Sequence, residues 1–188
     1  ALTAAAMAPD EARRDRALSR AARAALSTGN LEQVELLRKQ IGNQDPVART
    51  EALLLEGECA ALKQHKSEAG RVVDALLASI DHLPAGLRLR GLLGVARIRL
   101  IEQDLPAAEE VLGRLLAMRA ERDIDAVSAR TALEMSIAVA LQRGDFRRVR
   151  AVADRLMPFE RAYPVRSLFV RSYRITADRY QRSSTRFR

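Results

Sequence analysis

The stretch Ile101-Glu-Gln-Asp-Leu-Pro-Ala-Ala-Glu-Glu-Val-Leu-Gly-Arg-Leu-Leu116 decides the fold. Gln103-Asp104-Leu105 interrupts two apolar-periodic segments, and Pro106 suits the first turn of a new helix. Small residues follow, where two helices have to approach closely. The stretch therefore reads as the tight turn and second helix of a helical hairpin.

Working outward, the same layout recurs. Asp10 serves as N-cap for a helix through Leu26, and Ser27-Thr28-Gly29-Asn30 turns the chain into Leu31 to Ile41. Pro46 starts a helix to about Gln64, and Ser67-Glu68 opens one carrying Val72, Val73, Leu76, Leu77 and Ile80 at helical spacing. Pro84 to Ile101 precedes Pro106 to about Glu121. Ala126 to Arg143 then pairs with Arg147 to about Phe159 across Gly144-Asp145-Phe146. A last helix is expected from Val165 to about Arg182. Taking Leu31, Lys66, Leu105 and Phe146 as anchors gives separations of 35, 39 and 41 residues, the range of two-helix repeats. Twelve residues apart lie the pairs expected to meet inside each hairpin: Ala22 with Val34, Gly57 with Ala69, Ala96 with Ala108, and the bulkier Ile137 with Val149, expected to pack more openly or to act as a transition to the aromatic end.

Composition agrees with an all-α chain. Alanine, leucine and arginine dominate, Trp is absent, and alternating Val/Ile/Thr runs are missing. The single cysteine, Cys59, forms no intrachain disulfide, and no apolar run approaches the ~18 residues of a membrane span. A soluble, cytoplasmic protein is expected, without membrane partners. The net charge of +8 is unevenly placed: residues 1–142 carry 19 Lys+Arg against 20 Asp+Glu (−1), and residues 143–188 carry 13 Arg against 4 acids (+9). All seven aromatic residues also lie after Arg143.

The turn segments G-N-L-E-Q-V, Q-D-L-P-A-A and G-D-F-R-R-V resemble the tetratricopeptide signature in type and order, over roughly Ala17 to Met157. Leucines 53, 92 and 133 stand where aromatic residues are usual, and Gln64-His65-Lys66 departs from the turn pattern. Longer, leucine-rich units of this kind are similar to those of large bacterial regulators, including MalT-like activators and some diguanylate cyclases. The resemblance implies a right-handed solenoid of antiparallel helix pairs with about four repeats and a C-terminal capping helix. It divides the chain into an N-terminal tail (1–9), a repeat domain (10–163) and a basic aromatic helix (164–188). The implied role is a non-enzymatic interaction or sensor module of a larger signalling or transcription-regulating protein.

Stacked first helices of such repeats line a concave groove. The repeat register places there Arg16, Arg20 and Arg23, then Glu51, Leu54 and Glu58, then Arg90, Leu93 and Arg97, and finally Glu134 with Met135. Guanidinium groups hold carboxylates in a bidentate way, so a protein, peptide or small-ligand partner is expected; the competing expectation is that these charges pair between neighbouring hairpins. In the C-terminal helix, Phe169, Arg171, Tyr173, Arg174 and Tyr180 form a docking or self-association surface, since Val165, Leu168, Phe169, Ser172, Tyr173, Thr176, Ala177 and Tyr180 make a helical stripe. The alternative is nucleic-acid binding, with arginines on phosphates and tyrosines stacked on bases. No catalytic constellation, cofactor motif or metal-ligand spacing is recognisable: His65 and His82 lack partners, Gly86 to Gly91 lacks the Lys-Ser/Thr of a phosphate loop, Cys59 has no base, and Glu109-Glu110 read as solvated charges.

Overall fold

The computed structural model describes residues 11–42, 45–118 and 125–160, with 173 and 175. The expected tail (1–9) and nearly all of the C-terminal helix (164–188) lie outside the described residues. Those described form helices α1 (Glu11–Ser27), α2 (Leu31–Arg38), α3 (Pro46–Leu62), α4 (Lys66–Ile80), α5 (Ala85–Ile101), α6 (Leu105–Ala117), α7 (Ala126–Gln142) and α8 (Phe146–Glu160). No strand occurs among them. Helix α2 stops three residues short of the expected Ile41. Its end tightens through Gln40 and Ile41 N–H groups donating to the Leu37 and Arg38 carbonyls.

Four of the helix-to-helix turns share a left-handed residue. Gly29, Gln64, Gln103 and Gly144 all adopt left-handed φ values, of 76°, 61°, 61° and 67°. They lie two residues before the four anchors, so the separations of 35, 39 and 41 recur in backbone conformation. Asn30, His65 and Asp145 N–H groups donate back to the Ala25, Ala60 and Ala140 carbonyls, the six-to-one bond of a helix closed by a left-handed residue. The next residue then caps the following helix. Asn30, Asp104 and Asp145 side chains accept from the backbone N–H of Gln33, Ala107 and Arg148 at 3.1, 3.3 and 3.0 Å.

His65 breaks this rule. Its backbone (φ −83°, ψ 69°) nearly coincides with those of Asn30 (−81°, 75°) and Asp104 (−83°, 73°), yet its side chain makes no cap bond. Substituting His65→Asp is therefore expected to stabilise the chain by about 1 kcal/mol, read as a higher urea midpoint. An unchanged or lower midpoint would show that the turn does not present the α4 amides as its dihedrals imply.

A further cap answers to pH. Asp125 accepts from the Val127 and Ser128 amides at 2.9 Å each and from the Ser128 hydroxyl at 2.7 Å. The Ser128 bonds, hydroxyl first, hold its carboxyl below the usual aspartate range. A depressed carboxyl contributes stability above its unfolded pKa, lost as pH falls through the folded value. Asp125→Ala is expected to cost about 1 kcal/mol at neutral pH. That difference from wild type should vanish in acid, as unfolding measured across pH will report.

The chain forms two compact units, residues 1–103 and 104–188, dividing in the turn of the opening stretch where the sequence suggests one repeat domain over 10–163. In the first unit every helix packs on the next one or two along the chain: α1 on α2 and α3, α2 on α3, α3 on α4 and α5, α4 on α5. The hairpins are antiparallel. Asp15, near the start of α1, accepts from the Gly42 N–H beyond the end of α2 at 3.0 Å, and Gly91 of α5 faces Ile80 at the end of α4. Leu18, Ala22, Val34, Leu37 and Leu55 belong to one apolar cluster here. In the second unit α7 packs on α6 and α8, around Leu133, Ile137, Val149, Val152 and Leu156. The bulkier Ile137–Val149 pair is as thoroughly buried as the others, at 2% and 0% exposure, and the aromatic residues Phe146 and Tyr173 pack against its cluster.

Glycines in α3 and α5 set how closely helices approach. A Cβ on Gly57 would lie 2.5 Å from Ile98 Cδ1 and 3.0 Å from Val72 Cγ1. A side chain at this position would thus meet Ile98 and Val72 first. A Cβ on Gly94 would overlap Leu54 Cδ2 and sit 3.1 Å from Leu54 Cγ. Gly70 and Gly113 are helical with nothing within 4 Å of a built Cβ. There Gly→Ala should stabilise by about 0.5–1 kcal/mol, through propensity and a less free unfolded chain. A fall in the denaturation midpoint of either variant would count against it.

Candidate functional site

Helix α3 carries two carboxylates seven residues apart, Glu51 and Glu58, whose side chains are only 11% and 3% exposed. Such burial requires cationic partners. They come from both helices that flank α3. Arg23 of α1 reaches both: its Nη1 donates to Glu58 Oε1 at 2.5 Å, and its Nε and Nη2 donate to Glu51 Oε2 at 3.4 and 3.3 Å. From α5, Arg90 Nη1 donates to Glu51 Oε1 at 2.8 Å, and Arg97 Nη1 lies 3.7 Å from Glu58 Oε2. Burial draws the Arg23 proton affinity down, but charge and hydrogen bonds from Glu58 and then Glu51 outweigh it, so its pKa stands above the usual guanidinium value.

The arrangement follows the repeat register. Arg16, Glu51 and Arg90 are separated by 35 and 39 residues, as are Arg23, Glu58 and Arg97. Two rungs of Arg–Glu–Arg thus cross α1, α3 and α5. The lower rung is modified: Arg16 is exposed and its Nε donates to its own helix at Ala12 O (3.1 Å), so Arg23 serves both carboxylates. Arg20 is exposed on the same side of α1 and makes no ion pair with a described residue. Arg90 and Arg97 keep 55% and 52% of their side-chain surface in water. Five guanidinium groups (Arg16, Arg20, Arg23, Arg90, Arg97) against two carboxylates leave this face at +3. The pairing expected between neighbouring hairpins is present at Arg23, Glu51, Glu58, Arg90 and Arg97, while Arg16 and Arg20 are exposed.

Other expected groove residues lie elsewhere. Leu54 is 1% exposed, locked under Gly94 as part of the core, so it does not line a groove. Leu93 is half-buried. Glu134 belongs to the second unit and pairs within its helix, accepting from Arg130 at 2.6 Å; Met135 beside it is half-buried. Of the C-terminal residues, Phe169, Arg171, Arg174 and Tyr180 lie outside the described residues. Tyr173 is half-buried against the Leu133–Leu156 cluster of the second unit, and Ile175 is 53% exposed.

Several polar groups escaped the sequence reading. Glu109 is no free solvated charge: it is ion-paired with Arg143 and Arg148 in the second unit. Glu35 and Lys63 pair across α2 and α3, and their hydrogen bond lowers the Glu35 pKa and raises that of Lys63. Asp15 is buried to receive Gly42, and only its distance of 27 residues from that glycine hid it. The Cys59 thiol is pushed up by burial, then by Glu35, which disfavours the thiolate a nucleophile needs. His65 Nδ1 lies 3.5 Å from Glu68, and His82 is exposed. Among the described residues no group of three or more His, Cys, Asp or Glu is placed to hold a metal, and no helix is long and apolar enough to cross a membrane.

Two surface hollows are formed by described residues of the first unit. One, of about 360 Å³, is lined by Glu11, Arg14, Asp15, Gln40, Gly42 and Asp45. The other, of about 410 Å³, lies among Arg38, Arg49, Ala52, Leu53 and Glu56, where Arg38 is already held by Glu56 at 2.9 Å. Neither contains a member of the two rungs. Compared with protein-family profiles, curated proteins and solved structures, the chain finds no match in any of the three.

Proposed function

We propose that this chain is a non-enzymatic, tetratricopeptide-like interaction module of a larger bacterial signalling or transcription-regulating protein, working in the cytoplasm and binding a protein, peptide or small ligand through the α1–α3–α5 face. The observation that carries the reading is the arrangement of that face. Its two buried carboxylates are paired by Arg23, Arg90 and Arg97, and Arg90 and Arg97 keep about half of their side-chain surface in water. The recurring turn geometry and neighbour-to-neighbour packing support the solenoid part of the reading, since stacked repeats contact only their neighbours. A floor tied down by ion pairs is preformed, so little ordering is required on association. The charges then govern encounter and choice of partner.

For the C-terminal helix, the half-burial of Tyr173 against the second-unit cluster favours docking or capping over base stacking. Peptide display tests the main reading. Random peptides would be selected on the wild-type chain and counter-selected on a variant carrying Arg20→Glu, Arg90→Glu and Arg97→Glu. Peptides that bind only the wild type are the expected result. Failure to enrich any, or enrichment indifferent to the three substitutions, would reject the α1–α3–α5 face as the binding site.

A further inference from the structure

We infer, granted the interaction-module reading, that the partner seated on this face is an acidic α-helix whose carboxylates recur every seven residues, lying along α5 against Arg90 and Arg97. The first reason is the period. Arg90 and Arg97 on α5 are seven residues apart, and seven residues span about 10.5 Å of helix axis. A partner helix with Asp or Glu at the same interval repeats that step on one side. An extended strand covers it in about three residues, and successive odd steps point to opposite faces, so a strand cannot serve both rungs from one side.

The second reason is the unused bonding capacity. A guanidinium offers five donors in a planar fork, and Arg90 and Arg97 each place one nitrogen on α3 while about half their surface faces water. The second edge remains for a carboxylate. Arg20, with no ion-pair partner among the described residues, adds a further contact. A nucleic-acid backbone suits the face less well, because its phosphates call for a continuous cationic track and two carboxylates interrupt this one.

The test uses the full chain and three probes in fluorescence titrations at low salt: an alanine-based helical peptide with glutamates every seven residues, a peptide of the same composition with glutamates every five, and a single-stranded oligonucleotide. Each aligned exposed pair contributes up to about 1 kcal/mol, or about fivefold in affinity. The seven-spaced peptide should therefore bind at least about fivefold tighter than the five-spaced one, and weaken as salt is raised. Arg90→Gln with Arg97→Gln should remove that preference. Arg20→Gln should weaken binding a few-fold while leaving the unfolding midpoint unchanged, which separates docking from folding. Equal binding of the two peptides, no binding of either, or binding of the oligonucleotide alone would overturn the inference. If displayed peptides engage the three arginines but are neutral or extended, this inference falls and the module reading stands. If none is selected, the module reading falls first.

Discussion

Replacing Gly94 with alanine is expected to destabilise the chain by about 1–2 kcal/mol, although the same change in an open helix stabilises it. Helix propensity favours alanine by about 1 kcal/mol. Against this, the new methyl enters the space of Leu54, whose Cδ1 and Cγ would both lie 3.1 Å from it. Leu54 is 1% exposed, so it has no free volume to turn into. Overpacking of this kind costs about 1–3 kcal/mol and outweighs the propensity term. Urea unfolding of Gly94→Ala beside Gly70→Ala should show shifts of opposite sign. The double variant Gly94→Ala, Leu54→Ala should lose less than the two single losses added, because the smaller side chain leaves room for the methyl. Strict additivity would show that Gly94 and Leu54 are not in this close α3–α5 contact.

The second large effect belongs to Glu58. Glu58→Ala leaves the Arg23 guanidinium in a partly desolvated place with only the longer Glu51 bonds, of 3.3 and 3.4 Å. Breaking a buried pair costs about 3–5 kcal/mol. Arg23 retains 29% exposure and Arg97 is half in water, so solvent screens part of this and about 2–3 kcal/mol is expected. Arg97→Gln should cost under about 1 kcal/mol, since its 3.7 Å contact is exposed. Chemical denaturation of the two variants compares them directly. Equal losses would mean that Glu58 is held from α5 as strongly as from α1.

Much of the fold was legible because it is written locally. A left-handed residue, then Asn or Asp, then an apolar residue is a C-cap followed by an N-cap, and that chemistry lies within five consecutive positions. Gln64-His65-Lys66 looks irregular in sequence, yet the backbone repeats there too, with glutamine carrying the left-handed conformation. What the sequence hides is which neighbour fills a space. Gly91 reads as the end of a failed phosphate loop, whereas it and Gly94 let α5 settle against Ile80 and Leu54. The pattern offers no sign that Leu54 points inward, because an apolar residue between two glutamates fits a groove equally well.

The rungs themselves were half visible. The register brought Arg23, Glu51, Glu58, Arg90 and Arg97 to one face, but the choice of Arg23 to bridge both carboxylates depends on side-chain reach across 28 and 35 residues. Spacing does not encode reach. The same reason explains Glu109, whose partners Arg143 and Arg148 lie in another helix pair.

Residue-resolved labelling of arginine with a dicarbonyl reagent on the native chain tests the face most directly. Arg20 and Arg23 lie three residues apart on α1, one exposed and the other bound to Glu51 and Glu58. Arg20 should be modified readily, Arg23 only once the chain unfolds, and the seven-spaced acidic peptide should shield Arg20, Arg90 and Arg97. Arg23 reacting as fast as Arg20 in the folded chain would contradict the ion-paired floor on which the docking face is built.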